Sequence, residues 1–179
     1  MKNILTKILS SKSDLSSKEI SFLEIAKTTK VSELFKAIYN YNDLSEIRYV
    51  GGCVRKILNN EKFDDIDLAT NLKPDEVKEC LKNNNIDFIE TGIEHGTITA
   101  RIDEKNFEIT SLRKDVSTDG RRAFVEFTNE WTEDALRRDF TINSIYADKE
   151  GNLFDPNDGV KDLKNGKIKF IGDPKKRVK

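Results

Sequence analysis

Hydrophobic and polar positions change period along the chain. Val31, Leu34, Phe35, Ile38 and Tyr39 fall at i, i+3, i+4, i+7 and i+8, one apolar stripe of a helix. Ile20, Phe22, Leu23 and Ala26 suggest a shorter helix, and Ile4, Leu5, Ile8 and Leu9 a third. Such stripes face a core, so this N-terminal stretch is expected to pack rather than to react. The texture changes at Arg48. Tyr49-Val50 reads as a short strand, followed by Gly51-Gly52 and a helix carrying Val54, Ile57 and Leu58. Ile66–Ala69 is a second strand candidate. Pro74 opens a helix at its first position, with Asp75 and Glu76 where acids favour the helix dipole.

Three further strands are expected over 86–90, 97–102 and 107–112. The second alternates Thr97, Thr99 and Arg101 against Ile98, Ala100 and Ile102, the period of a half-buried strand. Asp103–Asn106 would turn it into the third. Residues 113–123 lack an apolar period and predict a surface loop. Thr132 is placed to cap a helix running to about Tyr146, with Glu133 and Asp134 in its first turn. A turn at Glu150–Asn152 leads into Leu153-Phe154, and Ile168–Ile171 predicts a closing strand. Strands and helices mixed in this way indicate an α/β (α+β) fold.

Composition narrows the function classes. Charged residues make up 35% and hydrophobic ones 36%, a globular profile with no run long enough for a membrane span. The net charge of −1 shows no global electropositivity, so any nucleic-acid contact must come from local basic patches. Cys53 and Cys80 stand far apart and are too few for a zinc site; they read as reduced thiols of a cytoplasmic protein. His95 is the only histidine, and no nucleophile elbow accompanies it, so it reads as a turn residue.

Five features carry chemistry. Asp65 and Asp67, two apart on a strand, would share a face at roughly 6.6 Å backbone spacing. Two carboxylates about 5 Å apart repel by roughly 3 kcal/mol at an effective dielectric near 20, a conflict that a hard divalent cation removes. Taken alone, so short a motif reads first as an acidic turn in solvent. Gly51-Gly52 lies between a strand and a helix, where backbone N–H groups can approach phosphate, and Arg55 follows one turn later. Glu108 alternates with Phe107 and Ile109 and is a candidate third acid, as metal-site carboxylate or general base. Arg138, Asp139 and Asn143 form a candidate nucleotide-binding edge, the last two sharing a helix face at i, i+4. Arg113, Arg121 and Arg122 flank or occupy the loop and are candidates for phosphate or RNA contact.

In order, Gly51-Gly52-Cys53-Val54-Arg55, Asp65-Ile66-Asp67-Leu68-Ala69-Thr70, Glu94-His95-Gly96-Thr97, Phe107-Glu108-Ile109-Thr110, Asp119-Gly120-Arg121-Arg122 and Arg137-Arg138-Asp139-Phe140-Thr141-Ile142-Asn143 resemble the catalytic head of class II CCA-adding enzymes and bacterial poly(A) polymerases. The His-Gly-Thr and Asp-Gly-Arg-Arg segments are more similar to the CCA-adding branch. The resemblance implies a polymerase-β-type head, a mixed sheet flanked by helices, over 48–172. Residues 1–47 would be a helical extension and 173–179 the start of a linker.

The resemblance further implies that Asp65 and Asp67 bind Mg²⁺ with Glu108 as third acid. Gly51, Gly52, Arg55 and Arg138 would contact the triphosphate, and Asp139 with Asn143 the ribose. An RNA 3′-hydroxyl, on tRNA or another RNA, would attack the α-phosphate of CTP or ATP. Lys56 departs from the acid that the family commonly places there, and the neck, body and tail that read the base and grip tRNA do not follow within the 179 residues. The sequence would then be a shortened piece, a broken gene product, or a subunit needing a separate chain to supply them. A head for A-addition or poly(A) synthesis, and a silent RNA-binding or assembly fragment, are the alternatives.

Overall fold

A computed structural model describes residues 22–63, 65–116 and 124–173. Helix α1 covers 22–28 and α2 spans Val31–Tyr39. Then follow β1 (Ile47–Val50), α3 (Gly52–Leu58), β2 (Asp67–Thr70), α4 (Pro74–Asn83), β3 (Asp87–Gly92), β4 (Thr97–Ile102) and β5 (Lys105–Ser111). The hairpin β6 (Arg113–Val116) and β7 (Phe124–Phe127) precedes α5 (Trp131–Arg137), β8 (Tyr146–Ala147), β9 (Leu153–Phe154) and α6 (Gly159–Lys164). Seven strands form one sheet in the order β3-β4-β5-β2-β1-β8-β9, and β6-β7 stands apart. The sheet is mixed: β2 and β5 run parallel, and its other neighbouring strands are antiparallel.

Side-chain alternation sorts the sheet into two faces. Ile47, Tyr49, Leu68, Ile98, Ala100, Phe107 and Ile109 join buried residues of α1 to α4 in the main core. Phe35 and Phe22 stack on Tyr49 at 4.9 and 5.3 Å between ring centroids, so the described part of the N-terminal segment shares this core. Val50, Ala69 and Tyr146 point the other way and meet Trp131 and Ala135 of α5 in a smaller cluster. That second layer covers only the β1-β8-β9 end. The β2-β5-β4 end of the same face carries Asp67, Glu108, Thr99 and Arg101.

Several expected boundaries move. The strand expected over 66–69 is β2, one residue later, because β1 and β5 offer ladder partners only from Asp67 onward; Asp65 lies before it on exposed, irregular backbone. Ile86 ends α4, its N–H bonding Leu81 O at 2.9 Å, rather than starting β3. The hairpin turn shrinks to Asp103-Glu104, since Lys105 and Asn106 pair with Ile102 and Arg101. Residues 113–116 are not loop but β6, paired to β7. The helix expected from Thr132 to Tyr146 starts at Trp131 and stops at Arg137, with Thr141–Asn143 a 3₁₀ turn. Tyr146 is captured instead by pairing with Val50 and Phe154. The closing strand is reduced to one bridge, Phe170 to Phe140. The expected helix at Ile4–Leu9, Ile20, and the segment 174–179 lie outside the described residues. Among the described residues no helix is long and apolar enough to cross a membrane.

Helix α6 holds the 3₁₀ turn in place by close approach. A Cβ on Gly159 would sit 2.1 Å from Thr141 O and 2.9 Å from Ile145 Cγ1. Gly159→Ala is therefore expected to push this turn away and to cost ~1–3 kcal/mol, measurable in urea unfolding. A midpoint equal to wild type would show that the backbone contact is dispensable.

Candidate active site

Glycine at position 51 is a backbone requirement. Gly51 has φ +69° and ψ −128°, a conformation closed to residues with a side chain. It links β1 directly to α3 and sets the buried peptide against the opposite wall of the site. A Cβ there would lie 3.9 Å from Arg138 Nη1 and 4.0 Å from Asn143 O. Arg55, one turn into α3, donates from its guanidinium to Asn143 Oδ1. Gly51, Arg55, Arg138 and Asn143, which the sequence spreads over more than ninety positions, thus meet in one place.

The acids occupy the adjoining floor. Parallel pairing sets Asp67 beside Glu108, and Thr99 stands across from Glu108 on β4. Neither acid has an ion pair among the described residues. Burial, then Glu108 and then Asp65 push the Asp67 carboxyl above its ordinary range, while Arg138 pulls it the other way. Asp67 thus feels all three of these groups. Glu108 and Asp65 are exposed, Asp67 half-buried. Among the described residues no three acidic, His or Cys side chains are drawn close enough to cage a metal by themselves. The donor set fits Mg²⁺ nonetheless, because that ion takes one or two carboxylates and completes its shell with water and phosphate oxygens.

The anchor of the cationic wall is a residue whose place in the sequence suggests only a role at the helix dipole. Asp134, 1% exposed, lies on the buried face of α5. Its Oδ2 accepts from Arg138 Nε and Nη2 at 3.2 and 3.1 Å and from Tyr146 Oη at 2.7 Å. Its Oδ1 accepts from Arg137 Nε at 2.8 Å and from the Arg113 backbone N–H at 3.2 Å. Arg138 Nε also donates to Tyr146 Oη at 3.0 Å. Burial alone would raise the Asp134 carboxyl; Arg138, Arg137 and the Tyr146 hydroxyl outweigh it and hold the group below its usual value. The i, i+3 and i, i+4 spacing to the two arginines was legible in the sequence. The contribution of Tyr146 was not, because it arrives on another strand.

Other expected site residues are placed differently. Asp139 and Asn143 do not share a helix face. Asp139 is exposed, and its carbonyl accepts the Ile171 N–H at 2.9 Å, while Asn143 sits in the 3₁₀ turn. Arg138 is not on a solvated helix face but ends α5 in the buried network above. Arg113 lies on β6, half-buried, donating to the His95 carbonyl. That bond ties down the Glu94-His95-Gly96 turn, in keeping with a turn role for His95. Arg121 and Arg122 lie outside the described residues.

Residues 47–169 match the family described as the poly A polymerase head domain. The chain belongs to this family. Its head domain is 52% identical over 134 residues to human CCA tRNA nucleotidyltransferase 1, mitochondrial, an alignment covering 74% of this chain and 31% of that protein. The CCA-adding enzyme of Lactobacillus helveticus is 42% identical, with 74% and 33% covered. The crystal structure of the Bacillus stearothermophilus CCA-adding enzyme in complex with CTP superposes with a TM-score of 0.70 at 30% identity, over 83% of this chain and 35% of that one. The chain therefore spans about a third of the length of the relatives it matches. The expected mixed sheet flanked by helices is the observed fold.

Asp134→Asn is expected to remove the buried carboxylate that half-buried Arg137 and Arg138 share and to cost ~3–5 kcal/mol at neutral pH. A carboxyl depressed in the folded state stabilises above its unfolded value and loses that contribution as pH falls through the folded one. The gap between variant and wild type should thus close below about pH 4. Urea melts at pH 7 and in acid check both; a constant gap would sink the assignment. Asp67→Asn should act oppositely, relieving repulsion on the floor and raising metal-free stability by ~1 kcal/mol, about 2–4 °C in Tm. Calorimetry in EDTA reads this, and a lower Tm would contradict it.

Proposed function

We propose that the chain is the catalytic head of a CCA-adding tRNA nucleotidyltransferase, transferring CMP or AMP from CTP or ATP to an RNA 3′-hydroxyl. The observation that carries this is Asp67 paired beside Glu108 on the open sheet face, opposite the Arg138 wall and the Gly51 turn. The names of the human and bacterial relatives support the CCA-adding branch. Asp65 and Asp67 are the proposed ligands of Mg²⁺, which when bound supplies charge neutralisation at the α-phosphate. Backbone N–H groups at Gly51-Gly52, with Arg55 and Arg138, bind the triphosphate, and Asn143 with Asp139 orients the ribose. Glu108 accepts the proton of the attacking 3′-hydroxyl or fixes its orientation. The new bond joins the 3′-oxygen to the α-phosphorus, and the bond to the bridging oxygen breaks as pyrophosphate leaves in line. Arg113, Arg121 and Arg122 are the proposed phosphate or RNA contacts. The proposed domain limits are 48–172 for the head, with 1–47 preceding it and a linker from 173. Two buried free cysteines support a reducing compartment, for which we propose the cytoplasm.

Every side chain assigned here meets a part that CTP and ATP share. The 179-residue chain is therefore expected to bind both with Mg²⁺ at similar affinity, within about threefold by calorimetry, and strong selectivity would contradict the assignment. The reaction is tested with labelled CTP or ATP and tRNA lacking its 3′ end, with and without a separately expressed C-terminal part. Asp65→Ala/Asp67→Ala should lose transfer by about a thousandfold. Equal incorporation by wild type and variant would instead support a silent RNA-binding fragment, and A-only products a poly(A)-type head.

A further inference from the structure

Charge is unevenly placed along the chain. Residues 161–179 hold eight of its 31 Lys and Arg residues and two of its 32 Asp and Glu residues, although the net charge is −1. Lys161, Lys164, Lys167 and Lys169 are exposed, and none joins an ion pair among the described residues. Helix α6 packs Val160 and Leu163 against the main core, which leaves Lys161 and Lys164, three apart, on its outer side. Nearby acids are engaged inward. Asp155 accepts the Gly159 and Val160 N–H groups at 2.7 and 2.9 Å, and Asp162 accepts the Thr141 hydroxyl at 2.7 Å. Asp158 at the start of α6, Asp139 beside Ile171, and Asp173 are the exposed exceptions.

The lysines alternate with exposed apolar groups. Ile168 is 72% and Phe170 37% exposed, and Phe170 lies 4.6 Å from the Phe140 ring, centroid to centroid. Segment 169–171 is stitched to the nucleotide edge: Lys169 O accepts the Thr141 N–H at 3.0 Å, and the Ile171 N–H donates to Asp139 O at 2.9 Å. A basic ridge interleaved with a half-exposed aromatic pair has the chemistry of a single-strand nucleic-acid track, where phosphates meet cations and a base stacks on a ring.

We infer that Lys161, Lys164, Lys167 and Lys169, with Phe170, bind the single-stranded 3′ end of the RNA acceptor beside the site. This rests on the proposed function for the identity of the polymer, but not for the ridge itself. Binding of a fluorescent single-stranded RNA is measured by anisotropy from low to moderate salt, using the whole 179-residue chain. Replacing the four lysines by Gln should flatten the dependence of log K on log salt by about 0.7 for each phosphate no longer neutralised, so by about 3 if all four engage. Phe170→Ala should weaken RNA binding about tenfold at every salt concentration with the slope kept.

Affinity for CTP with Mg²⁺ should stay unchanged in both variants, and the thermal unfolding curve should stay unchanged in the lysine variant. An unchanged slope with four lysines removed overturns the inference, as does an equal loss of CTP affinity, which would assign the ridge to the nucleotide subsite. The outcomes separate from those of the reaction. If wild type transfers no nucleotide yet the lysine variant loses salt dependence, the ridge stands and the proposed chemistry falls. If transfer is intact and RNA binding is indifferent to the lysines, the reverse holds.

Discussion

Parallel pairing of β2 with β5 is the constraint on which this molecule turns. It buries Leu68 and Ile109 on one face and, by the same alternation, sets Asp67 beside Glu108 on the other. A slip of one residue would drive the acids into the apolar core and expose its side chains, so the hydrophobic face enforces a register that the charges alone would resist. The sheet thus holds carboxylates together, and burial first, then Glu108 and Asp65, raise the Asp67 carboxyl.

The cationic wall obeys a different rule. An arginine left loose near a ligand loses side-chain entropy on binding. Arg138 is already fixed, its guanidinium shared between a buried carboxylate and a tyrosine hydroxyl, with Nη1 turned toward the Gly51 turn. Asp134 also ties Arg137 and the backbone of Arg113, so one buried charge couples α5 to β6 and, through Tyr146, to the main sheet. Floor and wall have opposite sign and separate supports, one held by strand pairing and the other by a hydrogen-bonded network.

Between them runs the segment 138–145, which leaves α5, extends past Phe140 and turns at Thr141–Asn143 before joining β8. Its backbone bonds to 169–171, its Thr141 hydroxyl bonds to Asp162, and Gly159 lies against the Thr141 carbonyl. Segment 138–145 and the lysine ridge are therefore parts of one packed unit rather than neighbouring loops.

The sequence by itself determined the elements whose period is set locally. The α2 stripe, the Pro74 helix start, the β4 alternation and the placement of Gly-Gly between strand and helix all appear where the pattern put them, because each depends on side chains within one or two turns. It also supplied the order of motifs that identified the family, and with it the acids, Arg138 and Asn143 as candidates. Tertiary structure decided the rest. The stretch from Arg138 to Tyr146 carries a helical rhythm, yet Val50 and Phe154 claimed Tyr146 for the sheet and Phe170 claimed Phe140, because long-range pairing and burial outweigh weak local propensity. Residues 113–116 looked like loop because their pairing partner lies ten residues on. Asp134 looked like a surface acid because its burial depends on Tyr146 and on the second hydrophobic layer, neither of which has a local signature.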